Sequence, residues 1–174
     1  MGLGAIAAFS PLYFKSHGWP HAALAMSAFG AAYVLARLLF GSFPDRFGGA
    51  RVAAASAAVA ALGQFGMWMA SSGEMAVAAA ALTGLGFSLA FPSFGVEAIR
   101  RVPPQNRGVA LGAYTAFFDA VLGLGVPALG LLAGSFDLSI AFAIGALTAL
   151  ISFVIAAVSL SASVTNAQKI PSRT

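Results

Sequence analysis

The sequence has no cysteine in its 174 residues and little charge, with Asp, Glu, Lys and Arg together only 8%. The first absence excludes disulfides, thiol nucleophiles and thiolate metal ligands. The second excludes an ordinary soluble domain, in which about 25% of residues are charged. No serine, histidine and carboxylate arrangement suggests a nucleophile with its base. There is no phosphate-binding loop and no metal-ligand spacing around His17 or His21, so the chain does not read as an enzyme and implies no cofactor. What remains is 60% hydrophobic, with a mean hydropathy of +0.91. A chain of this size cannot bury so much apolar surface within itself, and the bilayer is its solvent. Twenty glycines and many alanines suit helices that approach closely in lipid.

Five apolar spans are legible, over residues 21–43, 52–70, 75–99, 108–133 and 139–160. At ~1.5 Å per residue each is long enough for a hydrocarbon core of ~30 Å with some tilt. Residues 1–14 are apolar too but reach only ~21 Å. They read as the outer part of a helix that starts upstream, which places Met1 inside a longer reading frame. No basic region precedes them, so they do not read as a cleavable signal. The expected fold is all-α, a polytopic bundle of about six helices over 1–160 followed by a cytoplasmic tail, 161–174. Lys15–Pro20, Ser71–Glu74 and Gly134–Asp137 carry turn residues, and Pro20 suits the first turn of a helix. Trp19, Trp68 and Phe136 fall near span ends, where aromatic rings favour the interface.

The net charge of +4 comes from basic residues in short loops rather than from a basic face, which argues for topology and against nucleic acid. Arg37, Arg46, Arg51, Arg100, Arg101, Arg107, Lys169 and Arg173 lie on one side, and Lys15 alone lies on the other. Eight against one puts both basic loops and the C-terminus in the cytoplasm by the positive-inside rule.

Few charges fall inside the spans. Asp119 lies ~17 Å into its span, where a carboxylate costs about 2.5–3.5 kcal/mol to insert. Gly112, Thr115, Ala116 and Gly123 share its helical face, a small polar stripe expected to face protein or a water-filled cavity. Asp119 is either a proton carrier or a structural carboxylate bonded to a neighbouring helix. Arg37 shares a face with Ser27, Gly30, Tyr33 and Gly41. It is either a contact for an anionic substrate or, the favoured reading, a partner for Asp45 or Glu97. Glu97 lies beside Arg100 and Arg101 and is expected to form a local ion pair. Gln64, Tyr114, Phe117, Phe118, Ser88 and Ser93 are candidates to line a central cavity. Pro92 and Pro127 are expected to kink their helices and free carbonyls for water or substrate.

The hairpin after the second apolar segment is the most informative stretch. Gly41, Asp45, Arg46 and Gly48 spell Gly-x-x-x-Asp-Arg-x-Gly, with Arg51 following. Gly48 and Gly49 are expected to permit a tight reversal, and Asp45 to accept hydrogen bonds from a helix N-terminus. This hairpin resembles the motif-A loop of the major facilitator superfamily, although position 49 is Gly where that family often has a basic residue. Pro103, Arg107 and Gly108 resemble the loop before the family's eleventh helix. Gly123, Gly125, Pro127 and Gly130 loosely resemble the glycine-proline motif of its proton-coupled efflux members, with different spacing. The segments 35–41 and 95–101 look most like bacterial sugar- and drug-exporting permeases.

The resemblance implies helices seven to twelve of a twelve-helix fold in the bacterial inner membrane. It implies a secondary transporter that exports a small solute by alternating access, coupled to protons. Asp119, Arg37, Gln64 and Tyr114 become candidates for coupling or substrate contact. Gly41, Asp45, Arg46, Gly48, Arg51, Glu97, Arg101 and Arg107 become a latch between halves that breaks as the transporter rocks. The implied partners are a small solute, protons, the lipid bilayer and the N-terminal six-helix half or a second copy. The alternative is a native half-length protein, acting as a homodimeric carrier or a non-transporting scaffold.

Overall fold

The computed structural model describes residues 2–100 and 102–168, with side chains described as far as residue 160. Among the described residues there are seven α-helices and no strand. They are α1 (Gly2–Ser16), α2 (Ala22–Phe40), α3 (Phe43–Phe47), α4 (Gly49–Trp68), α5 (Gly73–Arg100), α6 (Arg107–Ser135) and α7 (Ile140–Gln168). Five of them are long and apolar enough to cross a membrane: α2, α4, α5, α6 and α7 as far as Leu160. These match the five apolar spans, as expected for an all-α membrane bundle. The α7 helix runs on past the end of its apolar span.

α5 is the centre of the bundle. It packs along α2 on one side and α4 on the other, and α4 packs in turn on α7. α2 and α4 have almost no contact with each other, and α6 rests only lightly on α5 and α7. Lipid tails are as apolar as leucine, so these seams are held by close fit rather than by exclusion of water. Small residues make the fit. A Cβ on Gly63 would strike Thr83 of α5, and one on Gly86 would strike the backbone of Ser56 and Ala60 in α4. A Cβ on Gly84 would strike the Phe29 carbonyl of α2. The larger core side chains gather where α1 enters the bundle: Ile6, Phe9, Tyr13, Phe14, Met67, Leu129 and Phe142 are buried together. Outward surfaces are apolar in the manner of a lipid-facing protein. Leu38, Leu124 and Leu131 are each more than 70% exposed.

The hairpin between α2 and α4 differs from the tight glycine reversal expected. Gly41 is right-handed helical, at φ −56° and ψ −27°, so the chain passes smoothly into the single turn of α3. The reversal occurs at Gly48 alone, at φ +91° and ψ 136°, a conformation that favours glycine. Gly49 already belongs to α4. It is buried against α5, where a Cβ would lie 2.8 Å from the Ser93 carbonyl oxygen. Gly49 therefore serves packing, not turning.

Candidate functional site

α4, α5, α6 and α7 border a partly open cavity of about 400 Å³, with Gly2 of α1 at its edge. Its aromatic wall follows from the sequence of α5. Phe87, Phe91 and Phe94 recur at spacings of four and three and so share one face. From α6, Tyr114, Phe117, Phe118 and Val121 face them. The rings of Phe91 and Phe118 lie 4.6 Å apart, and those of Phe91 and Tyr114 5.1 Å apart. Both distances are typical of favourable aromatic pairs. Tyr114 Oη donates to the Phe91 carbonyl at 2.8 Å, tying α6 to α5.

The opposite wall is polar but uncharged. Gln64 of α4 is fully buried. Its Nε2 donates to the Gly2 carbonyl at 3.3 Å and to Thr83 Oγ1 at 3.5 Å. Its Oε1 is buried with no hydrogen-bond partner among the described residues. It points toward Gly145 of α7, where a Cβ would collide with it. Thr148 and Ser152 complete this wall, their hydroxyls turned to carbonyls of their own helix. Among the described residues, no Asp, Glu, Lys, Arg or His lines the cavity.

The structure thus brings Gln64 and Tyr114 together with Phe117 and Phe118, and leaves the other candidates elsewhere. Ser88 Oγ donates to the Tyr33 carbonyl at 2.8 Å, in the seam between α2 and α5. Ser93 is buried on the side of α5 that meets Gly49.

Arg37 is at the α2–α5 seam, and its hydrogen-bond partner is neither of the expected carboxylates. Its Nη1 donates to the Ser88 carbonyl at 3.4 Å. The reason lies four residues further along α5, at Pro92. Proline has no N–H for the carbonyl four residues before it. The freed carbonyl is Ser88's, and Arg37 takes it. Pro92 does release an acceptor, but to a neighbouring helix rather than to water or substrate.

Asp119 lies away from the cavity. It is exposed on the outer face of α6, and Gly112, Thr115, Ala116 and Gly123 are exposed beside it. A Cβ on Gly112 or Gly123 would meet nothing within 4 Å. The small polar stripe is real, but it faces away from the described helices instead of into them.

In the hairpin, Asp45 and Arg46 are exposed and have no partner among the described residues. Asp45 lies in the first turn of α3 itself and accepts no hydrogen bond from α4, whose N-cap is Gly48. Arg51 is exposed on the first turn of α4. Glu97 pairs with Arg100 at 3.6 Å, the local ion pair expected. Arg107 is exposed at the start of α6. Arg101 lies outside the described residues.

Sequence reasoning missed Phe87, Phe91, Phe94, Thr83, Thr148 and Ser152 as cavity-lining residues. The phenylalanine spacing in α5 was a usable signal. The hydroxyls of α7 carried none.

Comparison with known proteins supplies the family. The Major Facilitator Superfamily model matches residues 1–174. The chain belongs to the major facilitator superfamily. An uncharacterized MFS-type transporter of Pseudomonas aeruginosa is 47% identical over 150 residues, covering 86% of this chain and 37% of the relative. Uncharacterized MFS-type transporters of Burkholderia mallei and Burkholderia pseudomallei are 46% identical over 135 residues, covering 78% of this chain and 33% of each relative. The chain thus spans about a third of the length of these relatives. Membership of this superfamily and five apolar helices make it a multi-pass membrane protein.

Proposed function

We propose that this superfamily member carries the half of a secondary transporter that corresponds to helices seven to twelve. It would move a small solute across a bacterial inner membrane by alternating access. Residues 1–160 form the transmembrane half-domain, and 161–174 the cytoplasmic tail. Family membership supports transport. The observation that carries the choice of solute is the cavity. Gln64, across from the aromatic wall, has an amide oxygen that is buried against α7 and lacks a donor among the described residues, and a buried acceptor left bare costs about 1–3 kcal/mol. An uncharged solute with an apolar body and one hydrogen-bond donor would stack on the aromatic wall and, once the Gln64 amide rotates into the cavity, satisfy its Oε1.

Asp119 stands outside this cavity, so its role in the proposal is proton coupling rather than substrate contact. A carboxylate in mid-span on a helix face without neighbours requires cover, water or a proton. The cover is the other half of the same polypeptide or a second copy. The cleft between α6 and that partner would then carry the proton. The hairpin carrying Gly41, Asp45, Arg46, Gly48 and Arg51, with Glu97, Arg101 and Arg107, is the proposed latch. Asp45, Arg46, Arg51 and Arg107 would offer exposed charges to the partner, while Glu97 is paired with Arg100.

The test uses everted vesicles from cells making the protein, a panel of uncharged aromatic solutes and a pH-sensitive dye. At least one solute should drive proton movement. Gln64→Leu should raise the solute concentration needed, and Asp119→Asn should uncouple proton movement from solute movement. If no solute moves, the transport reading fails. If a stably inserted Asp119→Asn variant keeps full proton-driven transport, the coupling role fails.

The exposed stripe on α6 also keeps the half-length reading in play. A native band at 17.5 kDa that cross-links to twice that mass through a cysteine at Gly112 would favour a homodimeric carrier. The same band without cross-linking or solute movement would favour a scaffold.

A further inference from the structure

Away from the aromatic cavity, α2, α4 and α5 border a second hollow of about 540 Å³. It exists because α2 and α4 both pack on α5 but not on each other. The floor is made of small or buried side chains, among them Ala36, Ser56 and Leu89, with Gly86 pressed onto the α4 backbone. Ala55, Val59, Leu82 and Leu85 form the flanks. At one end three rings form a rim. Phe40 and Phe43 lie 5.0 Å apart, and Phe43 and Phe47 5.1 Å apart. Arg51 lines the hollow at that same end. From Arg51 to Val59 the groove runs along α4 for ~12 Å.

We propose that this groove holds one acyl chain of an anionic phospholipid, with its phosphate on Arg51. Three observations point to that occupant. The lining is apolar except for Ser56 and Arg51, so a polar solute gains nothing there. Its walls belong to three membrane-spanning helices, so it faces the bilayer region and not bulk water. Its single charge is positive, sits at the end of the groove where α4 begins, and has no acidic partner among the described residues. Arg46, exposed and also without a partner among the described residues, lies five residues earlier at the same end. Basic residues at the cytoplasmic end of helices recruit anionic headgroups, and the aromatic rim suits the headgroup level. Asp45 is the one opposing charge on that hairpin. Its carboxylate repels the phosphate, so the site discriminates by a balance of two arginines against one aspartate.

The test is native mass spectrometry of the detergent-purified full chain. It is titrated with phosphatidylglycerol and, separately, with phosphatidylcholine bearing the same acyl chains. The expected result is one phosphatidylglycerol adduct at concentrations where phosphatidylcholine gives none. Arg51→Gln should weaken it about fivefold, the factor that one basic residue contributes at an anionic leaflet. Arg51→Lys should largely restore it, and Asp45→Asn should strengthen it. Ala55→Trp, which fills the groove from an exposed position, should abolish the adduct with helix content unchanged. Leu85→Trp does the same from α5 and decides the matter if Ala55→Trp aggregates. Equal retention of the two lipids overturns the proposal. Loss on Arg51→Gln with no loss on either tryptophan variant also overturns it, because the headgroup would then bind without a chain in the groove.

Discussion

The glycines of this protein do different work at positions that look alike in sequence. Gly86 is pressed onto the backbone of α4, whereas Gly112 has open space around it. Gly86→Leu should destabilise the bundle by at least about 1–3 kcal/mol, the usual cost of overpacking. Gly112→Leu should leave the stability of this chain nearly unchanged. Thermal denaturation in detergent separates the two, and equal losses would contradict the packing described. Arg37 and Pro92 make a second residue-level case. If the guanidinium is held by the carbonyl that Pro92 frees, Arg37→Ala should cost about 0.5–1.5 kcal/mol in the native chain. It should cost less in a Pro92→Ala background, where the restored N–H competes for the same oxygen. A double-mutant cycle measures the difference, and additive losses would show the two residues to be independent. These roles were beyond the reach of sequence because helices apolar on every side give no directional signal. Asp119 shows the consequence: its small neighbours suggested a face toward protein or a water-filled cavity, and among the described residues that face is exposed. Gln64 was legible because a lone amide among alanines has few reasons to be there.

At the level of elements, the spans themselves were plain in the sequence. Long runs of apolar residues fix helix existence, and the turn segments at 15–20, 71–74 and 134–137 fix most ends. The hairpin was read less well. A stretch with Pro44, Asp45 and three glycines favours a turn locally, yet α3 forms because its Phe43 and Phe47 rings pack on one another 5.1 Å apart. The most weakly attached spanning helix is α6. Its main polar tie to α5 is the hydrogen bond from Tyr114 to the Phe91 carbonyl. Tyr114→Phe removes that tie and keeps the ring contacts. Hydrogen bonds between membrane helices average about 0.6 kcal/mol, enough to shift the mean position of a loosely held helix. Because the chain has no cysteine, spin labels can be placed at will. A pair at Ala90 on α5 and Ala120 on α6 should give a broader distance distribution in the Tyr114→Phe variant than in the native protein. An unchanged distribution would show that aromatic packing alone holds α6.

For the molecule as a whole, orientation rests on charge. Cysteines at Asp45 and Arg107 should react with an impermeant maleimide only from the cytoplasmic side, and one at His17 only from the opposite side. Labelling of all three from one side would refute the topology read from the arginines. The architecture also sets an order on assembly. α2 and α4 both pack on α5 and hardly touch each other, and α5 is made after both. While the ribosome is still working on residues 73–100, Arg37 has no carbonyl to bind, and Gly63 faces a gap that Thr83 has yet to fill. Two helices must therefore wait in the membrane, held by the insertion machinery or by lipid, until a third arrives between them. A slowing of translation before Gly73 would lengthen that wait, and a change of codon use there, with no change of protein sequence, would alter the yield of folded protein.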